Sequence, residues 1–280
     1  MKSSPLKPLL SAMLAVGLMA LAPPVRGTDP PKAAADAVIA KYHSDDPAAS
    51  VRIWQRQMTR TSGNPRFAEF QKERVEEWQK TEFAPHLLED PQVTALVAEI
   101  IKPVLSLYRR EDCFRLLIVD HKVPVAMNDS AVLLMVTTGL FERSTSDDEV
   151  LGVIAHELGH DIHWRRTAAA RHALELYDHG VGIEPLARQA REELAKIELE
   201  CDAFSSVTLA AMRRNPEAFG RFLLSALHDF PEYVAETMPL VEERARVIDS
   251  VIPSAALSNI SRQSEALTKL KALLKARGRK

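Results

Sequence analysis

Apolar residues recur at the helical period over most of the chain, and one short region breaks that pattern. The helical spacing is clearest after Pro91, where Pro103 predicts a kink. Two β-rich runs follow, at 114–119 and 131–138, and predict adjacent strands, with residues 123–125 as an irregular edge. The pattern therefore predicts an α+β, mainly helical fold that contains a small β-sheet.

Two long helices are predicted after the strands. Ser146 and Glu149 have the spacing of a capping box, and helical periodicity continues from there to about Tyr177. Pro185 is typical of a first helical turn, and the helix it opens is predicted to end at Arg214. A shorter helix is expected over 65–81, packed on the surface and without chemistry of its own.

The amino terminus has the pattern of a secretory signal. Lys2 and Lys7 precede an apolar run at 9–22, and small residues precede a cleavage point after Gly27. We therefore expect residues 1–27 to be a cleaved signal peptide and the mature protein to reach the periplasm. An uncleaved signal anchor is the alternative.

Composition excludes several classes of protein. The chain has 36 Lys and Arg against 38 Asp and Glu, so no excess of positive charge is available to wrap a nucleic acid. Two cysteines are too few for a disulfide scaffold. In an oxidising compartment Cys113 and Cys201 either pair with each other or are two small buried residues, and the sequence leaves both interpretations open.

One pentapeptide indicates metal chemistry. His156 and His160 are four residues apart, so a helix places both imidazoles on one face, where they can bind a single ion. Zinc lowers the pKa of a water molecule to about 7, and the carboxylate of Glu157 would stand beside that water to take its proton. The sequence therefore predicts one zinc ion per chain with Glu157 as the general base.

A third ligand is needed, and its position separates the known variants of this motif. A ligand histidine six residues after the second is excluded, because Arg166 occupies that position. Glu198 and Asp202 share one face of the second long helix, which predicts Glu198 as the third zinc ligand. Asp202 would accept a hydrogen bond from the outer nitrogen of His156. Glu200 is the competing ligand, although it points away from the face that bears Asp202.

Together these motifs resemble the gluzincin metallopeptidases of the CAAX-prenyl-protease/HtpX type, in particular their soluble exported bacterial branch without tandem helical repeats. The likeness rests on residues 138–141, 149–160 and 198–202. It implies a zincin-like core with the small sheet beside the active-site helix, and endopeptidase activity. It also implies that strand 131–138 borders the cleft, where a substrate could add as an extended strand.

The chain departs from that family at two places. The Asn-Ala pair expected before the cleft strand is replaced by a segment that ends at Asn128 and Asp129. Met238 stands where the family has a histidine that reaches the zinc or the oxyanion, so peptidase activity is expected to be reduced. His228 and Arg244 are the two residues that could substitute for it.

The resulting hypothesis is a zinc endopeptidase that acts on proteins of the bacterial cell envelope, for example in quality control. The alternative is a metal-bearing periplasmic chaperone or assembly factor with little proteolysis. Partners are expected to be proteins or peptides and not nucleic acids. The predicted domains are the signal peptide at 1–27, a helical extension at 28–85, the metallopeptidase domain at 86–250 and a basic helix at 251–280.

Three further features carry less information. The basic carboxyl end predicts a solvated helix terminus, with contact to anionic lipid or envelope proteins as the alternative. His163 predicts a partly buried polar residue, with a second metal or an auxiliary proton donor as the alternative. Trp54, Trp78 and Trp164 are predicted to be packing anchors.

Overall fold

The computed structural model describes residues 31–58, 65–81, 83–231, 239–252 and 262–278. The predicted signal peptide and Met238 lie outside these ranges. The predicted α+β, mainly helical fold is confirmed. The helices are α1 Pro31–Tyr42, α2 Pro47–Gln57, α3 Pro65–Trp78, α4 Pro91–Leu107, α5 Thr138–Arg143, α6 Asp147–Asp178, α7 Glu184–Ala211, α8 Pro216–Asp229, α9 Val241–Ser250 and α10 Glu265–Arg277.

Polar side chains and prolines fix where several of these helices begin. Asp46, Asp90 and Asn215 each accept a hydrogen bond from a backbone N–H in the first turn, and a proline follows each of them. Such caps satisfy donors that have no partner inside the helix, and proline suits a position where no donor is needed. The helix boundaries therefore follow local sequence chemistry.

The start of α6 differs from its prediction. Ser146 is the N-cap residue, but its side chain makes no capping hydrogen bond. Glu149 instead accepts bonds from the backbone and hydroxyl of Thr145, at 2.5 and 2.6 Å. Asp148 accepts from the backbone N–H of Asn215 at 3.2 Å. The predicted capping box is therefore wrong, because these carboxylates tie the helix to neighbouring segments.

The sheet has three strands in the order β1-β3-β2, where β1 is Arg115–Val119, β2 is Ala126–Asp129 and β3 is Leu133–Thr137. β1 pairs parallel with β3, which confirms that the two β-rich runs are neighbours. β2 pairs antiparallel with β3, so the edge strand lies at 126–129 and its prediction at 123–125 is wrong. Ala131 and Met135 line the cleft, as predicted for strand 131–138. The prediction that a substrate could add to this strand is wrong, because β3 is the central strand.

The main core is formed by α4, β1, β3 and the inner faces of α5 to α8. Ala35 and Val38 of α1 are fully buried in the same cluster, and so are Leu267 and Leu270 of α10. The described parts of the predicted amino-terminal extension and carboxyl-terminal helix therefore pack on the same core as the predicted metallopeptidase domain. Within the described ranges, no helix is long and apolar enough to cross a membrane.

Candidate metal centre

Helices α6 and α7 bring the three predicted metal ligands together. His156 Nε2 lies 3.3 Å from one carboxylate oxygen of Glu198, and His160 Nε2 lies 3.7 Å from the other. The two helices approach closely at Gly159, where an added Cβ would lie 3.1 Å from Cys201 Sγ. A glycine at this position therefore lets Glu198 reach the two imidazoles across the helix interface.

A buried ion pair supports His156 from behind. His156 Nδ1 lies 2.9 Å from Asp202 Oδ1, which is the contact predicted from the sequence. Arg244 of α9 donates two hydrogen bonds of 2.7 Å to Asp202, and both of these residues are at most 2% exposed. Burial opposes ionisation of Asp202, but Arg244 and His156 outweigh it and hold the pKa of that carboxyl below its usual range. The hydrogen bond between Asp202 and Nδ1 of His156 leaves Nε2 of this histidine facing the cleft.

The two imidazoles differ in their electrostatic surroundings. Burial would lower the pKa of His156, but bonds to Asp202 and Glu198 outweigh it and raise that pKa to about 10. Burial lowers the pKa of His160 to about 4, with further lowering by the charges of His156 and Arg171. The pKa of Glu198 lies below its usual range, because His156, His160 and Arg244 outweigh its burial. An ionised carboxylate and neutral imidazoles bind a metal, so Glu198 and His160 are already in the binding form, whereas His156 releases a proton when the ion binds.

Glu157 is held against the edge strand of the sheet. The backbone N–H of Asn128 in β2 donates to Glu157 Oε2 at 2.9 Å. Burial raises the pKa of Glu157 to about 7, against the opposing effect of His156. A carboxylate with a pKa near neutrality can both accept and release a proton at working pH.

The side chain of Asn128 also joins β2 to α6. The side-chain amide of Asn128 donates to the backbone carbonyl of Glu157 at 2.9 Å and to Asp161 Oδ1 at 2.6 Å. Arg110 donates to the other oxygen of Asp161 at 2.7 Å. Burial raises the pKa of Asp161 to about 6, and Arg110 and Asn128 oppose that rise. This network fixes the edge strand beside the predicted metal site.

Cys201 offers a different set of donors. His156, His160 and Cys201 each have a ligand-capable atom within 4.8 Å of the others. Burial and the surrounding carboxylates raise the pKa of the Cys201 thiol well above its usual value, so the sulfur is protonated in the metal-free protein. Cys201 Sγ lies 3.6 Å from Nδ1 of His160, whereas the Nε2 atoms face Glu198. The chemistry of the donors therefore fits a site of two histidines and Glu198, the type found in catalytic zinc sites.

Glu200, the competing ligand, lies in a separate buried network. It accepts a hydrogen bond from Lys41 at 2.9 Å, pairs with Arg166 and lies 3.4 Å from His163. The hydroxyl of Tyr42 lies 3.2 Å from Nε2 of His163, which is the ring nitrogen nearest to Glu200. His163 is thus a buried polar residue that helps to join α1 to α6 and α7.

The predicted metal centre opens into a cavity of about 750 Å³. One wall is an apolar stripe of α8, and another is the face of α6 that carries Glu157 and His160. The lining residues on these two walls include Phe219, Phe222, Leu223, Asp161, Trp164 and Arg171. Trp164 is 58% exposed, so its prediction as a packing anchor is wrong, whereas Trp54 packs on Phe204 and Trp78 is buried.

Sequence reasoning did not identify several of these residues. Asp161 directly follows His160, and Asn128 lies in the segment that departs from the family pattern, so position alone could have singled them out. Nothing in the sequence around Arg110 indicated a role at this site.

Cys113 and Cys201 are both buried free thiols in the structure.

Comparison with known proteins supports a metallopeptidase. Residues 88–178 match the model of the family described as Peptidase family M48. The matched stretch contains His156, Glu157 and His160, whereas Glu198 and Asp202 follow it in the chain. No curated protein matches the chain.

Proposed function

We propose that the protein is a zinc-dependent endopeptidase that is exported to the periplasm and acts on proteins of the bacterial cell envelope. The observation that carries the proposal is the convergence of His156, His160 and Glu198, with Glu157 in the same cleft. The family match over residues 88–178 supports the hydrolase class. The signal-like pattern at 1–27 supports export, and a mature amino terminus near Thr28, found by mass spectrometry, would test it.

His156, His160 and Glu198 would hold one Zn²⁺ per chain. When bound, zinc polarises the scissile carbonyl and lowers the pKa of the attacking water. Asp202 keeps His156 in the tautomer that presents Nε2 to the ion, and Arg244 holds Asp202 in its ionised form. These two residues position a ligand and do not touch the substrate.

Glu157 acts as general base in this proposal. Its carboxylate takes a proton from the attacking water and passes it to the leaving amine, which a pKa of about 7 permits in both directions. The hydrogen bond from the backbone of Asn128 fixes the carboxylate at the edge of the sheet. Extended protein or peptide substrates would bind along β2, which is the edge strand next to the site.

The test is metal analysis of the purified mature protein, followed by cleavage of unfolded casein with and without a chelator. We expect about one zinc per chain, and we expect its loss in His156→Ala. Glu157→Gln should keep the zinc and the fold but lower turnover at least about a hundredfold.

His172→Ala is the matched control, because His172 lies on the same helix with a side chain that is 70% exposed and outside the cleft lining. It should retain both zinc and activity. A folded wild-type protein that binds no zinc would refute the proposal.

One observation favours the alternative of a metal-bearing chaperone with little proteolysis. His228 pairs with Asp229 and its side chain is 88% exposed, so it is not placed to replace the histidine expected at 238. Arg244 lies 3.8 Å from Glu198, but two of its donors already bond to Asp202. Met238→His separates the two functions. A gain in casein cleavage would indicate a peptidase site that lacks one donor. If neither form cleaves but both protect an unfolded protein from aggregation, the chaperone is favoured.

A further inference from the structure

The cleft continues well beyond the predicted metal ligands along α6. Asp161, Trp164, Ala168 and Arg171 line the same cavity as His160 and recur at helical spacing, so they share one face of the helix. From His160 to Arg171 the helix rises about 16 Å, which is the length of about five residues of extended peptide. The cavity therefore has room for several substrate residues on this side.

Arg171 differs from the other two arginines of the cavity. Arg110 is paired with Asp161, and Arg244 is paired with Asp202. Arg171 makes no hydrogen bond or ion pair with any residue that the structure describes, and it remains exposed. It is thus a cation of the cleft whose donors are available to a ligand.

Arg171 lies within electrostatic reach of acidic side chains on both sides of it along α6. The carboxylates of Glu198, Asp129, Glu157 and Glu175 act on its charge, and its own charge acts on His160. Long side chains on a helix lean toward its amino-terminal end, which here is the direction of the metal centre.

The acidic neighbours of Arg171 already have other partners. Glu175 lies 3.7 Å from Nδ1 of His172. Asp129 accepts hydrogen bonds from Arg74 at 2.6 Å and from the indole of Trp78 at 2.9 Å. Glu157 accepts from Asn128, and Glu198 faces the two histidines. None of these carboxylates forms an ion pair with Arg171 in the described part of the chain.

We infer that Arg171 binds a carboxylate of the substrate within about five residues of the scissile bond. The inference rests on the proposed function and defines its substrate class: peptides with an Asp or Glu side chain, or with the free carboxyl terminus, within reach of Arg171. A guanidinium presents paired N–H groups that match the two oxygens of a carboxylate. The exposed indole of Trp164 lies on the same face and offers an apolar surface to the intervening residues.

The test measures binding to the zinc-loaded Glu157→Gln variant, so that it does not depend on turnover. The probes are short fluorescein-labelled peptides of Leu, Ala and Ser with one Glu or Gln at each position in turn, and with the carboxyl terminus free or amidated. We expect Glu at one position, or the free terminus, to lower Kd about tenfold. The position at which this gain occurs identifies the source of the carboxylate.

Adding Arg171→Ala should abolish that gain and leave the affinity for the Gln, amidated peptide nearly unchanged. Arg171→Glu should reverse the preference in favour of a Lys-containing peptide. Arg188→Ala is the control, because it removes the same charge from an exposed position outside the cavity. The inference is overturned if the carboxylate gives no gain, or if the gain survives in Arg171→Ala.

Failure of the inference about Arg171 is distinguishable from failure of the proposed function. A protein that holds zinc and cleaves casein through Glu157, but ignores the carboxylate, overturns the role of Arg171 alone. A protein without zinc overturns the proposed function itself.

Discussion

Asp202→Asn separates the two tasks of the buried carboxylate behind the candidate metal centre. The substitution keeps the size of the side chain but removes its charge. His156 then loses an ionised partner at 2.9 Å, and Arg244, which is 2% exposed, loses the carboxylate that compensates its buried charge. The first loss bears on metal affinity and the second bears on stability.

Both effects have a size that can be estimated. Removing the partner of a ligand histidine typically lowers metal affinity by about 10- to 100-fold. Breaking a buried ion pair by removing one partner costs about 3–5 kcal/mol of stability, because the other charge stays buried without compensation. The free energy of unfolding of the metal-free protein should therefore fall by an amount in that range at neutral pH.

The pH dependence follows from the direction of the pKa shift. The pKa of Asp202 is lower in the folded protein than in the unfolded chain. The contribution of ionised Asp202 to folding stability is therefore present above its pKa in the unfolded chain, near 4. It is lost as the pH falls through the lower pKa of the folded protein. The difference in stability between wild type and Asp202→Asn should shrink in acid.

The assays are chelator competition for zinc affinity and urea unfolding of the metal-free proteins. Asp229→Asn is the control, since Asp229 pairs with Arg143 at the surface and a far smaller change is expected. The reasoning fails if Asp202→Asn leaves both zinc affinity and the unfolding free energy at their wild-type values.

Three other substitutions probe packing, charge and the cleft wall. Gly152→Ala would place a Cβ 2.4 Å from the Cβ of Phe219, so we expect a loss of about 1–3 kcal/mol in urea unfolding; wild-type stability would mean that α8 moves aside freely. The pKa of Glu157 is raised to about 7, so its protonated carboxyl contributes to the stability of the folded protein. This contribution is fully present below pH 4.5 and is lost as the pH rises to about 7. Metal-free wild type should therefore lose stability relative to Glu157→Gln across that range, and a flat difference would contradict the shift. Trp164→Ala should change the unfolding free energy by no more than about 0.5 kcal/mol yet raise KM for casein, and an unchanged KM would remove Trp164 from the substrate site.

The long helices were predictable because their signals are local. The apolar period, the prolines and the glycines near 180 fixed α6 and α7 to within a few residues. The spacing of His156 and His160 within one helix, and of Glu198 and Asp202 within another, is likewise a local property. The structure then places these two pairs face to face.

The rest depends on contacts between distant segments. β2 is four residues long and only partly buried, so its sequence carries little β signal, and pairing with β3 defines it. Glu149 has the spacing of a capping residue but bonds to Thr145, and the neighbouring Asp148 bonds to Asn215 in a distant segment. The network of Arg110, Asp161 and Asn128 joins three segments that no periodicity connects.

The two halves of α6 differ in what surrounds them. The first half, with His156, packs in the main core, whereas Ala170 and Leu174 of the second half form a small separate cluster with Ala187 and Ala190 of α7. Backbone amides in the second half should exchange with solvent through local opening at a lower free energy than those around His156. A single continuous helix thus combines a rigid segment, which sets the ligand geometry, with a segment that can loosen around Arg171 without disturbing the ligands.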